Sequence, residues 1–295
     1  MKKYSLLGRL ALVGATLFWG SSFIVLKDTL DLMQPNYLLA LRFTFAGIIL
    51  FAVFGRRIVR ALDRETILQG AIIGICLFLA YFWQTLGLIR TTPGKNAFLT
   101  TTYCVIVPFL LWALRGPRPD KYNLLAAVLC IAGIGLVSLE SNFTIDKGDI
   151  FTLLGGFFFS CHMVALSKFT GGKDPVVLTV IQFAVAAICF WTVSLATEGV
   201  PAMPPQEALL PLTYMCVFCT AVTLLLQTFG QKYTPPSAAA ILMTLESVFA
   251  IMFSLLLGRE ILSVRVAFGF AVIFTSVIVS ETKLSFLKRS EGKMI

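Results

Sequence analysis

The sequence predicts an all-α integral membrane protein, with ten transmembrane helices in two inverted five-helix repeats. Three observations carry that prediction. The chain of 295 residues is 58% hydrophobic and only 13% charged, with a mean hydropathy of +0.88, whereas water-soluble domains run about 45–50% apolar and about 25% charged. Its apolar residues fall into ten runs, each close to the length a helix needs to cross roughly 30 Å of hydrocarbon. The two halves of the chain also match one another in order, the mark of an internal repeat.

The runs cover residues 10–26, 37–54, 67–89, 96–114, 122–139, 150–168, 176–196, 208–230, 237–257 and 263–281, each bounded by charge, Pro or Gly. They are continuous rather than alternating, which favours helices over barrel strands. The first run follows Lys2 and Lys3, but it is long and meets no small-residue cleavage site, so it reads as a retained span. Pro93, Pro108, Pro235 and Pro236 start or bend the fourth and ninth spans and free backbone carbonyls there, which makes them candidate gate elements. Gly14, Gly20, Gly133, Gly135, Gly155 and Gly156 read as sites of close helix packing.

A shift of 140 lays Phe18-Trp19-Gly20-Ser21 over Phe158-Phe159-Ser160-Cys161, Pro35 over Pro175 and Arg42-Phe43 over Gln182-Phe183. A shift of 143 lays Gln84-Thr85 and Gly87 over Gln227-Thr228 and Gly230, Thr91 over Thr234, Pro93 over Pro236, and Ala97 over Ala240. Each half holds an odd number of spans, so the second must enter the membrane from the opposite side. Many secondary transporters build two gates around a midplane site from such inverted repeats. Residues 1–143 form the first repeat on this reading. Residues 144–295 form the second, with a short cytoplasmic C-terminal tail.

The formal charge of +9 does not point to nucleic acid, because the basic residues sit in short loops where topology signals belong. Lys2, Lys3, Arg9, Arg56, Arg57, Arg60, Arg64, Arg115, Arg118, Lys121, Lys168, Lys173, Lys232, Lys283, Lys288, Arg289 and Lys293 fall on one side. Only Lys27, Arg90, Lys95, Lys147, Arg259 and Arg265 fall on the other. The excess predicts a cytoplasmic (inner) membrane protein with both termini in the cytoplasm. Seven cysteines, an odd number, all lie in apolar stretches, which supports neither a disulfide framework nor a zinc site. No nucleophile-elbow, phosphate-loop, HExxH or paired acidic motif is present. The sequence therefore predicts no enzyme, cofactor or metal.

Phe18-Trp19-Gly20-Ser21-Ser22, the run Thr92 to Leu99 leading to Val107-Pro108, and Leu245 to Ala250 followed by Leu257-Gly258-Arg259-Glu260 resemble the EamA-type drug/metabolite transporter family. The resemblance covers the chain from about Gly8 to Glu281, in both halves. It implies ten helices in two five-helix repeats, and facilitated or proton-coupled movement of small metabolites, often export of amino acids. It also implies a cavity lined mainly by spans one, three, four, six, eight and nine. The chain departs from the family in having Ser247 where a Pro usually follows the Glu of the ninth span. It also has Arg115-Gly116-Pro117 at the end of the fourth span, where the family has Gly-Glu, so only Glu260 keeps that carboxylate.

Glu246 lies about nine residues into its span, roughly 13 Å deep, where a carboxylate is costly unless it faces protein or water. It is a candidate for a cationic substrate group or a coupling proton, or else a packing carboxyl. Arg42, about five residues into the second span, is a candidate for a substrate carboxylate; the alternative is an anchor whose side chain snorkels to the interface. His162, the single histidine, is a candidate for proton coupling or substrate contact, or else a helix-contact residue. Trp19, Tyr81, Gln84, Tyr103 and Gln227 are candidates for the aromatic walls and amide contacts of a small-molecule pocket. Tyr103 gains weight because the shift of 143 pairs it with Glu246. The expected function is secondary transport of a small metabolite, an amino acid or related compound first, by alternating access within the lipid bilayer. Proton coupling and homo-oligomerisation stay open. The alternatives are a membrane-embedded enzyme or receptor for a lipid-like ligand, or a non-transporting scaffold subunit.

Overall fold

A computed structural model of the chain describes residues 2–116, 118–138, 146–200, 202–259 and 263–283. These residues form ten helical rods: α1 (Lys2–Leu30), α2 (Pro35–Ala61), α3 (Arg64–Arg90), α4 (Pro93–Ala113), α5 (Lys121–Ser138), α6 (Lys147–Phe169), α7 (Pro175–Thr197), α8 (Gln206–Tyr233), α9 (Pro236–Leu256) and α10 (Val264–Thr282). Seven of them are long and apolar enough to cross a membrane, and α5, α9 and α10 hold shorter apolar cores. Only about half of each long span is buried within the bundle; large apolar side chains such as Phe45, Ile48 and Phe51 on α2, or Val128 and Ile131 on α5, stay exposed on the outside of the bundle.

The helix starts follow from local chemistry. Pro35, Pro93, Pro175 and Pro236 occupy first-turn positions, where a missing N–H costs nothing. Asp63, Asp146, Asp174 and Ser263 accept hydrogen bonds from backbone N–H groups of the turns that follow. The Thr66 amide, together with the Lys173 ammonium at 3.1 Å, pulls the Asp63 carboxyl down to about 2. What it adds to stability is thus present above the ordinary carboxylate range and is lost as pH falls through about 2.

Two rods are not regular. In α4 a turn at Thr101 and Thr102 separates Pro93–Thr100 from Tyr103–Ala113. In α8 a π-helical stretch, Val217–Val222, lies between two α-helical segments. Sequence analysis placed a bend at Pro108, but the break lies in the turn before Tyr103, and Pro108 sits inside the second segment.

The repeats do not form separate bodies. The first half's α3 lies along α6 and α7, α1 lies along α8 and α9, α2 packs on α7, and α5 packs on α10. Pairs such as α3 with α6 and α8 with α1 are copies of one another under the repeat. One end of the molecule, the N-terminal face, carries the start of α1 and the Arg57–Asp174 and Lys173–Asp63 ion pairs. The opposite or distal face carries the Lys27 ammonium on the Leu88 and Ile89 carbonyls. There Glu198 also accepts from the first N–H groups of α2, at Asn36 and Tyr37. The expected boundary at 143/144 falls outside the described residues.

At the α5/α10 contact a Cβ on Gly133 would lie 2.6 Å from the Ile273 side chain and 3.1 Å from the Gly269 carbonyl. Gly133→Ala is therefore expected to cost about 1–3 kcal/mol through overpacking, read as a lower Tm in detergent. Gly171→Ala, with nothing within 4 Å of the new atom, is expected to leave Tm unchanged.

Candidate functional site

The site begins with a charge placed where hydrocarbon offers it nothing. Arg42 on α2 is fully buried. Its Nε donates to Thr220 Oγ1, its Nη2 donates to the Cys219 carbonyl at 2.9 Å, and the guanidinium stands 5.0 Å from the centre of the Tyr81 ring. Both acceptors belong to the π stretch of α8. There the Thr223 N–H reaches the Phe218 carbonyl five residues back rather than the Cys219 carbonyl four back, which releases the Cys219 carbonyl for the arginine. Nη1 is buried with no hydrogen-bond partner. The snorkelling alternative is thus corrected: Arg42 turns inward because α8 supplies acceptors there.

Glu246 on α9 is 5% exposed, and Tyr103 donates its hydroxyl to Oε1 at 3.0 Å. Tyr103 opens the second segment of α4, just past the break, where the Thr101 and Thr102 hydroxyls donate to the Phe98 and Leu99 carbonyls. Gly156 of α6 lets this irregular turn come close, since a Cβ there would lie 3.0 Å from the Thr100 carbonyl. Ser247, where the family pattern has Pro, donates to the Thr244 carbonyl at 2.8 Å, and α9 continues through it as a helix.

These groups line one central cavity of about 20 Å³, room for a single water molecule. Of the residues singled out in the sequence, the structure brings together Trp19, Arg42, Tyr81, Gln84, Tyr103 and Glu246 there. Tyr81 meets Phe43 and Phe159 edge-on, each at 5.3 Å between ring centres. Gln84 donates to Thr100 Oγ1 at 3.2 Å, and the Trp19 indole N–H is buried without an acceptor in hydrogen-bonding geometry.

The structure sets His162 and Gln227 apart from this lining. His162 Nε2 donates to Gln182 Oε1 at 2.8 Å, and Gln182 donates to Thr228. Gln227 Nε2 reaches the Met243 sulfur at 3.8 Å. Both occupy the space the repeat makes equivalent to Ser22 and Gln84. Glu260 lies outside the described residues.

Sequence reasoning missed Ser22, Leu26, Phe159, Met163 and Met243 as lining residues. A signal was available for most of them. Trp19, Ser22, Phe23 and Leu26 follow one helix face, and the shift of 140 carries Trp19 to Phe159 and Phe23 to Met163. Cys216 and Cys219 stand at CxxC spacing, yet both are free and buried in α8. Among the described residues no group of three or more His, Cys, Asp or Glu is placed to hold a metal ion.

A cavity with aromatic and apolar walls and a few buried polar groups, set between two inverted repeats, is an arrangement many secondary transporters use. The comparisons agree with that class. The EamA-like transporter family matches the chain twice, over residues 6–139 and 146–282, and the protein belongs to that family. An "Uncharacterized transporter" of Archaeoglobus fulgidus is 34% identical over 271 residues, covering 92% of this chain and 84% of its own. The "Uncharacterized inner membrane transporter YedA" of Escherichia coli K12 is 22% identical over 280 residues, covering 94% and 91%. A solved structure titled "Crystal structure of protein" superposes with a TM-score of 0.71 at 18% identity, covering 95% of this chain and 98% of its own, which bears on the fold alone. The chain is a multi-pass membrane transporter.

Tyr103→Phe removes the donor to Glu246 and is expected to cost about 1–3 kcal/mol, the range for losing a hydrogen bond to a buried charged or polar group. The check is Tm in detergent. Glu246→Gln, which keeps a carbonyl acceptor for Tyr103, is expected to cost less.

Proposed function

We propose that the protein carries a zwitterionic small metabolite, an amino acid or a close relative, across the cytoplasmic membrane by alternating access. One observation supports this reading above the others. A guanidinium and a carboxylate line the same cavity from opposite repeats, and no ion pair within 4.0 Å joins Arg42 to Glu246. Two opposite charges held apart around one small space complement a molecule that carries both.

In this reading Arg42 takes the substrate carboxylate. Nη1 is the open donor, while Thr220 and Cys219 hold the other side of the fork. Glu246 takes the ammonium group or, in the empty protein, a coupling proton, with Tyr103 orienting it. Trp19, Tyr81 and Phe159 wall the aliphatic part, and Gln84 adds an amide contact. His162 and Gln227 act from behind this shell by holding α6, α7 and α8 in register.

The cavity's volume also supports motion. A space of about 20 Å³ is far below the several hundred Å³ of ordinary small-molecule sites. The helices must therefore part to admit a metabolite. The repeats 1–143 and 144–295 supply equivalent elements for the two sides. The N-terminal face is cytoplasmic by the Lys/Arg bias of its loops, and export is the direction in keeping with the family resemblance. The chain performs no catalytic step in this reading.

The test is a thermal-shift screen of detergent-purified protein against amino acids, matched amines lacking the carboxylate and matched acids lacking the amine. Liposome flux follows for the hits. A zwitterion at 100-fold over its Kd is expected to stabilise by about 2.7 kcal/mol. Arg42→Lys and Glu246→Gln are each expected to abolish that shift. Stabilisation that survives both substitutions would move the site elsewhere.

A further inference from the structure

The repeat relates two helix crossings at opposite ends of the molecule. At the N-terminal face Gly8 of α1 meets Gly230 of α8. A Cβ on Gly8 would lie 3.2 Å from the Gly230 carbonyl, and one on Gly230 would lie 2.9 Å from the Gly8 carbonyl. At the distal face Gly148 of α6 meets Gly87 of α3 in the same reciprocal way, at 3.2 Å and 2.8 Å. The shifts of 140 and 143 carry Gly8 to Gly148 and Gly87 to Gly230, so the crossings are copies. Backbones this close leave no passage between the helices.

What flanks the two crossings is not copied. At the distal face Lys95 on α4 pairs with Asp149 on α6 at 2.7 Å; the aspartate side chain is fully buried and the lysine side chain 22% exposed. Beside them Asn96 donates to Thr152 Oγ1 at 2.7 Å and to the Gln84 carbonyl at 3.2 Å, and Thr152 donates to the Gly148 carbonyl at 2.8 Å. At the equivalent N-terminal positions the sequence has Ala238 for Lys95, Ala239 for Asn96, Arg9 for Asp149 and Leu12 for Thr152. Arg9 is exposed, and Leu12 packs against Gly230. One crossing is thus tied to α4 by a charge pair and hydrogen bonds. The other is closed by Leu12, Tyr233 and the Thr234 hydroxyl, which a Cβ on Gly8 would meet at 3.1 Å. The ion pairs of that face, Arg57–Asp174 and Lys173–Asp63, tie α2 and the α2–α3 loop to the start of α7 rather than flanking the crossing.

We propose that Lys95 and Asp149 form a latch that holds the distal gate shut, so that the resting protein opens preferentially at its N-terminal face. The inference rests on the alternating-access reading and is independent of the substrate. A buried pair is directional and depends on both charges, so neutralising one partner weakens distal closure selectively. Because opening one end requires closing the other, the effect must reach the N-terminal face, far from the altered residue.

Hydrogen–deuterium exchange of the full chain in lipid nanodiscs tests this. In Asp149→Asn, exchange at residues 86–96 and 147–156 is expected to quicken by roughly fivefold or more, while exchange at 6–14 and 228–236 slows by a comparable factor. The reversed pair, Lys95→Asp with Asp149→Lys, is expected to restore both ends. It also serves as the decisive variant if Asp149→Asn does not purify folded. Quickening confined to the distal end, or a reversed pair that restores neither end, overturns the latch. Gly230→Val, which wedges the other crossing, separates the two levels of inference. If it slows distal exchange while Asp149→Asn leaves the N-terminal face unchanged, only the latch fails. If neither variant affects its far end, alternating access fails with it.

Discussion

Hydrocarbon supplies no hydrogen bonds, so a spanning chain must satisfy its own backbone, and every departure from the regular helix has to be compensated by protein. This constraint shapes the molecule. Among the described residues its two interior departures, the turn at Thr101–Thr102 in α4 and the π stretch in α8, both lie beside the central cavity. In the first, threonine hydroxyls take up the helix's own carbonyls. In the second, a carbonyl that loses its α-helical partner accepts a bond from Arg42. The irregular backbone thus becomes the means by which a charge is held inside the membrane.

The second organising fact is that a nearly symmetric backbone carries asymmetric chemistry. Along the repeat, Trp19 corresponds to Phe159 and Phe23 to Met163, so the aromatic and apolar walls are roughly duplicated. Of the polar groups, Gln84 keeps its type as Gln227, but the others do not. Arg42 corresponds to Gln182, Tyr103 to Glu246 and Ser22 to His162. One lobe therefore carries an open cationic group at the cavity, while its counterpart, Gln182, is taken up in hydrogen bonds with His162 and Thr228. The ends follow the same rule, with Gly87 against Gly148 and Gly8 against Gly230 as matching crossings set among unlike neighbours. The two ends thus share one backbone arrangement and differ in side-chain chemistry.

Much of this was legible in the sequence because the signals are local. Span length and composition set the membrane class, and Pro at helix starts and Asp or Ser at caps set most boundaries. The self-match at 140 and 143 implies the inverted repeat, and it pairs Tyr103 with Glu246, which the structure joins by a hydrogen bond. The site was legible in part. Depth along a span singles out Glu246, but for Arg42 it leaves open both an inward binding role and a side chain that reaches the interface. Depth is a property of one helix, whereas the direction of a side chain is decided by its neighbours. His162 was singled out by rarity and depth, and it faces Gln182 rather than the cavity.

The sequence by itself determined how many helices there are, where they begin and that the second set repeats the first inverted, because hydrophobic length, capping and self-similarity are written along one strand of chain. Only the tertiary structure decided which helices exchange partners between the repeats. It also decided that α8 opens a π turn where Arg42 needs acceptors, that the carboxylate and guanidinium share a cavity without touching, and that Lys95 finds Asp149. Each of these depends on residues more than fifty positions apart meeting at a fixed distance. No single span encodes that distance, because it is set by how the small residues of one helix let the backbone of another approach.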